Sequence, residues 1–193
     1  MQSVIDFILE LDRLKGVTRQ TRPLGLDRDE NSAEHSWQIA LLALSLLPHA
    51  GQPLDGDRVV KMLLVHDIGE IDAGDVLVYA DTGTDRKLAE RAAVERIFGL
   101  LPAAQRDELL ALWLEFDDAA TPEARFAHAA DRAMPALLNL AGGGHSWVKH
   151  GITHARVVSR IGPPIAAGCP ALWDYMKTRL DAELARGWFG MGG

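Results

Sequence analysis

The sequence predicts an all-α fold, one helical bundle, on three observations. Apolar residues recur at three- and four-residue spacing along most of the chain. Helix-start and helix-stop residues stand between the periodic stretches: Asn31 with Glu34, Thr121 with Pro122, and glycines at 16 and 187. No hairpin signal joins two alternating segments; "DVLVYA" at 75–80 imitates a strand but has no partner.

The elements follow in order. Val4, Ile5, Ile8, Leu11 and Leu14 form one apolar stripe that ends at Gly16. A polar, arginine-bearing loop follows, "VTRQTRPLGLDRDE". Asn31 and Glu34 make a capping box, which puts His35 in the first turn or so of a second helix that runs through Leu47 and stops at Pro48. A third helix from near Asp57 carries "VVKMLLVHDIGE", and its wide apolar stripe makes it the segment, 57–70, around which the others should pack. After a loop around Gly74, "DRKLAERAAVERIFGLL" is a charged amphipathic helix, and "PAAQRDELLALWLEFDDA" is another with Pro102 suited to its first position. In "TPEARFAHAADRAMPALLNLA", Thr121 caps, Pro122 starts and Pro135 should bend or interrupt the helix. "SWVKHGITHARVVSRI" and "PALWDYMKTRLDAELARG" supply the last helices, the latter closed by Gly187.

Bulk properties narrow the function. With 193 residues, 48% of them hydrophobic and 24% charged, the chain has the size and composition of a single globular domain. A net charge of −7 argues against a broad nucleic-acid surface but leaves room for a small anion held by a local arginine or a metal. Cys169 is the sole cysteine, so no intrachain disulfide forms. The start, "MQSVIDFILELDRLKG", lacks a basic n-region, and the longest apolar run, "IALLALSLL", falls well short of the roughly 20 residues of a membrane span. The expectation is a cytoplasmic protein with no membrane contact.

Chemistry concentrates in "VHDIGEIDAGD", residues 65–75, where His66, Asp67, Glu70, Asp72 and Asp75 close a hydrophobic helix. Apolar surroundings disfavour charge unless it is paired or bound to metal. Imidazole and carboxylate together suit a divalent cation such as Mn²⁺, Co²⁺, Fe²⁺ or Zn²⁺. His35 and Asp131, on other helices, are further donor candidates. Each residue alone also has a plain reading: Asp131 as a partner of Arg132 or Arg125, Asp72 and Asp75 as turn residues around Gly74, Glu34 as a cap, His128 as a core histidine or a neighbour of the site. Helical spacing makes Trp37 and Trp113 core or dimer-packing residues, and "GGGHSW" at 142–147 is a candidate pocket rim.

In the order His35, His66-Asp67, Asp131 the chain resembles the HD-domain metal-dependent phosphohydrolases. "RLKGVTR", "ENSAEHSWQIALLAL", "DRVVKMLLVHDIGEIDAGD" and "LLALWLEFDDAATPEARFAHAADR" resemble its 5′-deoxynucleotidase branch across about residues 8–140. The resemblance implies a single HD domain over 1–193, with its metal-site core at about 31–140 and C-terminal helices at 145–187. It implies one divalent cation (Mn²⁺, Co²⁺, Fe²⁺, Zn²⁺ or Mg²⁺) held by His35, His66, Asp67 and Asp131. Glu70 and Asp75 match the positions that handle water and protons, Arg19 matches the phosphate contact, and Arg22 is a second candidate for phosphate. A phosphorylated small molecule, foremost a nucleoside 5′-monophosphate, is the implied substrate, and a homodimer the implied assembly. In that branch a tryptophan closely follows the arginine and helps to select the sugar; here Gln20, Thr21 and Arg22 stand instead, which leaves the deoxyribose preference open. The competing functions are a non-catalytic, metal-bound nucleotide sensor and a hydrolase of a triphosphate, cyclic nucleotide or alarmone.

Overall fold

The computed structural model describes residues 1–80 and 83–190, and among these it is helical with no strand. α1 (Gln2–Leu11) runs into a 3-10 turn, Asp12–Gly16. Then come α2 (Ser32–Leu46), α3 (Gly56–Val65), the one-turn α4 (Glu70–Ala73), α5 (Thr84–Phe98) and α6 (Ala103–Asp118). α7 (Pro122–Ala141), α8 (His145–Lys149), α9 (His154–Gly168) and α10 (Pro170–Glu183) complete the helices.

The caps form as the residue types require. Asn31 accepts from the Glu34 amide while Glu34 reaches back to the Asn31 amide, a closed capping box. Thr121 accepts from the Ala124 amide at the head of α7. Gly187, at φ 73, follows the last helical turn in the left-handed region that favours glycine.

α7 packs against α2, α3, α6 and α9, so it shares the central place expected of the third helix alone. Its buried face is rich in alanine (Ala124, Ala127, Ala129, Ala130, Ala133, Ala136), so neighbours approach closely on several sides. α7 continues through Pro135 without interruption. Proline has no N–H, so the Asp131 carbonyl receives no helical bond from it.

Two further boundaries differ from expectation. The third helix stops at Val65, immediately before His66 and Asp67. Beyond it the ladder tightens to three-residue bonds, Ile68 N–H to Val65 O and Glu70 N–H to Asp67 O. The stretch 145–160 is two helices, because Gly151 turns at φ 63 and the Ile152 amide closes back on Trp147 O at 2.8 Å.

The loop between α1 and α2 folds back on itself. The Arg19 amide donates to Glu30 O and the Glu30 amide to Thr21 O, both at 2.8 Å. This pairing sets Arg19 beside the head of α2, where His35 lies. Among the described residues no helix is long and apolar enough to cross a membrane.

Candidate metal centre

Helix ends and one helix middle bring the polar residues together. His35 comes from the first turn of α2, His66 and Asp67 from the turn after α3, and Asp131 from the middle of α7. The mutual packing of α2, α3 and α7 supplies their common point. His35, His66 and Asp131 are buried and each offers one donor atom within 4.8 Å of the others. His35 Nε2 lies 3.0 Å from Asp131 Oδ1, and His66 Nε2 lies 3.8 Å from the same oxygen. Asp67 Oδ1 is 3.0 Å from His66 Nε2. Donors bound to one ion at about 2.1 Å sit about 3.0–3.5 Å apart, so these spacings are close to those of a coordination shell.

The donor set fits a cation. His66 Nδ1 donates to Leu63 O at 2.9 Å, which turns the buried Nε2 toward the donor set, where its lone pair would be free for a cation once its proton is lost. Trp113 Nε1–H fixes the same residue from behind by donating to the His66 carbonyl at 3.0 Å. His35 is neutral near pH 7: burial, then the Arg19 charge, pull it down to about 4, against the pull of Asp131. Burial works to raise Asp67, yet the His66 and Arg19 charges hold it down at about 2. Burial works to raise Asp131 too, and Arg132 and His35 hold it well below the usual carboxylate range. Neutral His35 and ionised Asp67 and Asp131 are in the protonation states a divalent ion requires, whereas His66, raised by the Asp67 charge against burial, would have to give up a proton to an entering cation.

Arg19 lies across the front of this group. Its Nη1 donates to Asp67 Oδ2 at 2.8 Å and stands 3.4 Å from Asp75 Oδ1 and 3.7 Å from Glu70 Oε2. Burial opposes its charge, but Asp67, Asp75 and Glu70 outweigh it and raise its pKa. Glu70 is buried and receives a 2.6 Å hydrogen bond from Ser32 Oγ. Burial and then the Asp67 charge push Glu70 up to about 9, and burial also raises Asp75. Arg19, His66, Asp67, Glu70, Asp75 and Asp131 open on one cleft of about 290 Å³, whose wall includes Gln20, Val76, Tyr79, Arg132 and Arg160.

The structure thus brings His35, His66, Asp67, Asp131, Glu70, Asp75 and Arg19 together. It does not bring Arg22 there: Arg22 pairs with Asp27 at 3.2 Å and lines a neighbouring cavity of about 240 Å³. His128 stacks on Phe116 at 4.0 Å and donates from Nε2 to Phe116 O, so it buttresses the ring that packs on His66. Asp72 pairs with Arg96 at 2.7 Å and ties α4 to α5. Glu34 closes the capping box with Asn31 and also pairs with Arg28 at 2.6 Å. Nothing in the sequence singles out Glu30, Ser32 or the link from Trp113 to His66. The first two stand in a polar loop and at a helix start, and only the fold-back of the loop and the approach of α4 make them part of the site.

Comparison with known proteins places the chain in a family. A family model described as HD domain matches residues 11–173. The human 5′-deoxynucleotidase HDDC2 is 29% identical over 133 residues, covering 68% of this chain and 64% of that protein. Fission yeast 5′-deoxynucleotidase hdd1 is 28% identical over 137 residues, 67% of each chain. The chain therefore spans about two thirds, and for the human protein slightly less, of the curated relatives it matches. A crystal structure from Magnetospirillum magnetotacticum, described as a predicted metal-dependent phosphohydrolase, superposes with a TM-score of 0.91 at 41% identity over 98% of both chains. An HD-domain phosphohydrolase from Listeria innocua shares the fold alone, with a TM-score of 0.59 at 16% identity over 95% of this chain and 86% of that one.

Proposed function

The chain belongs to the HD-domain family, and from that premise we propose that it is a metal-dependent phosphohydrolase acting on nucleoside 5′-monophosphates. One observation carries the reading: buried donors from three helical segments converge at the foot of a cleft whose wall holds Arg19, Glu70 and Asp75. The names of the curated relatives support the substrate class. In this reading His35, His66, Asp67 and Asp131 hold one divalent metal ion, Glu70 and Asp75 move protons, and Arg19 contacts phosphate.

The ion supplies positive charge against a phosphoryl oxygen and lowers the pKa of a nearby water. The protein's residues do the rest. The carboxylates around Arg19 would repel a phosphate dianion: like charges about 4 Å apart cost about 4 kcal/mol at an effective dielectric near 20. A cation held by His35, His66, Asp67 and Asp131 would offset this repulsion. Arg19, already held at Asp67, presents its guanidinium beside the incoming phosphate.

The reaction transfers the phosphoryl group to water. The water oxygen bonds to phosphorus as the ester P–O bond breaks. The Glu70 carboxylate takes the water's proton while Ser32 Oγ holds its Oε2 in place. Held at about 9 without an ion, Glu70 would become available as a base near neutral pH when a cation in the donor set lowers it. Asp75, raised by burial, gives a proton to the departing alkoxide. The products are a nucleoside and phosphate.

The remaining features complete the reading. α7 touches both the early and the late helices, which supports one domain over 1–193. Cys169, buried and free of any disulfide, supports a reducing compartment, the cytoplasm. Trp37, Leu41 and Leu44 form an exposed stripe on α2, which supports a homodimer. A phosphate-release assay across Mn²⁺, Co²⁺, Fe²⁺, Zn²⁺ and Mg²⁺ against ribo- and deoxyribonucleoside 5′-monophosphates tests the proposal. Release that is lost in Glu70→Ala is expected. No release with any pair, or full activity in Glu70→Ala, rejects it.

A further inference from the structure

Three buried polar atoms behind the metal site lack hydrogen-bond partners: Arg19 Nε, Glu30 Oε1 and His35 Nδ1. They are neighbours. Glu30 Oε1 lies 3.4 Å from Arg19 Nε and 3.6 Å from His35 Nδ1. Both separations exceed a good N–H···O bond by a few tenths of an ångström. An acceptor oxygen thus stands between the Arg19 Nε–H and a ring nitrogen that becomes a donor when His35 carries its proton on Nδ1.

We propose that Glu30 is a positioning residue, one carboxylate oxygen holding both His35 and Arg19. This rests on the metal-dependent phosphohydrolase reading and adds a residue to it. Glu30 belongs neither to the donor cluster nor to the cleft wall. It is only 1% exposed, so its carboxylate answers to these neighbours rather than to water. Its backbone is fixed at both polar atoms, the amide on Thr21 O and the carbonyl on the Arg19 amide.

The consequence for His35 is a tautomer. In the metal-loaded protein a proton on Nδ1, facing Glu30, would leave the Nε2 lone pair to the cation; without an ion Nε2–H donates to Asp131 Oδ1 at 3.0 Å. His66 reaches the same state by a different route, through the Leu63 carbonyl. The two histidines are therefore oriented unequally, one by a neutral acceptor and one by an acid, and the acid makes its imidazole the more basic donor. The consequence for Arg19 is orientation: a hold on Nε fixes the plane of the guanidinium and turns its Nη edge to Asp67 and the cleft. Glu30 thereby couples the metal donor set to the phosphate contact, although it reaches neither ligand.

Calorimetric titration of the metal-stripped protein with Mn²⁺ tests the first half. Glu30→Gln should weaken Mn²⁺ binding about tenfold, at the low end of the effect of losing such a partner. Titration of the Mn²⁺-loaded protein with inorganic phosphate tests the second half. Glu30→Gln should weaken phosphate binding severalfold in the wild-type background and have no further effect in Arg19→Ala, while its Mn²⁺ effect persists there. A merely structural role would not divide in this way. Should Glu30→Gln fail to fold, nitrogen NMR of the Zn²⁺-loaded wild-type protein answers directly: His35 should carry its proton on Nδ1, protected from exchange. Unchanged Mn²⁺ affinity in the variant, or a His35 without a proton on Nδ1, overturns the role of Glu30 and leaves the metal reading standing. Wild-type protein that takes up no Mn²⁺ or Zn²⁺ overturns the metal reading itself.

Discussion

Ser32 Oγ donates a 2.6 Å hydrogen bond to Glu70 Oε2, joining residues 38 positions apart at the heart of the site. The bond anchors one carboxylate oxygen of a residue that lines the cleft. Ser32→Ala should therefore lower kcat about tenfold with little change in KM, because it disturbs the proton acceptor and not the phosphate contact. Stability should fall by only about 1 kcal/mol, the usual net worth of one hydrogen bond. Steady-state kinetics on a nucleoside 5′-monophosphate, with a urea melt, checks both. A rise in KM at constant kcat would place Ser32 in binding instead.

Gly69 allows the turn that delivers Glu70. A Cβ there would stand 2.9 Å from the Glu90 carbonyl oxygen and 3.3 Å from its Cα, both backbone atoms of α5. Its φ of −60° suits any residue, so the objection to a side chain is steric alone. Gly69→Ala should push α4 from α5, cost about 1–3 kcal/mol in a denaturant melt and lower kcat as Glu70 moves. A variant with wild-type stability and turnover would mean that α5 yields without disturbing α4.

The fold and much of the site were legible because their signals are local. The capping box at Asn31, the Thr121-Pro122 start and the helical periodicity each act within a few residues, and each forms as read. His66, Asp67, Glu70 and Asp75 lie in one short stretch, so their company needed little folding to foresee. The end of α3 at Val65 was not legible, since apolar residues continue past it at Ile68 and Ile71. Just beyond that break Gly69 lies close to α5, a contact between distant segments. Glu30 and Ser32 escaped for the same reason: the fold-back of 18–30 and the contact of Ser32 with Glu70 are tertiary. Arg22 shows the converse. It stands close to Arg19 in sequence, yet the course of the loop carries it to Asp27 and into the next cavity.

Gln20 lines the cleft beside Arg19, where the 5′-deoxynucleotidase branch places a tryptophan nearby. A glutamine is smaller and can hydrogen-bond a hydroxyl, so the protein should discriminate little between ribo- and deoxyribonucleoside monophosphates. Gln20→Trp should raise the ratio of kcat/KM for deoxyribose over ribose about tenfold, chiefly by loss on the ribonucleotide. Paired assays on AMP and dAMP measure it. An unchanged ratio would move sugar selection to another part of the wall, such as Val76 or Tyr79.

The metal-free protein should lose stability as pH rises from about 7 to about 9. Burial, then the Asp67 charge, lift Glu70 from 4.5 to about 9 in the folded chain, while the unfolded chain ionises it near 4.5. Between those values the native state holds a proton that the unfolded state has released, so stability falls with rising pH, by at most about 1.4 kcal/mol per unit for one proton. Below this range other groups intervene. Glu30, raised by burial to about 7, acts in the same direction, whereas His35, lowered by burial to about 4, acts in the opposite one between its folded value and 6.5. Asp67, held near 2, loses its contribution only in strong acid. Burial works to lower His66, but Asp67 outweighs it and raises the group, which reinforces the fall above 6.5. Thermal melts of chelator-treated protein across this range should show a declining Tm. Glu70→Gln, which cannot ionise, should flatten the decline, and saturating divalent cation should flatten it in the wild-type protein by favouring the ionised carboxylate. A wild-type Tm that holds steady or climbs across this range in the absence of metal would mean that Glu70 is ionised throughout, and the case for its raised pKa would fall with it.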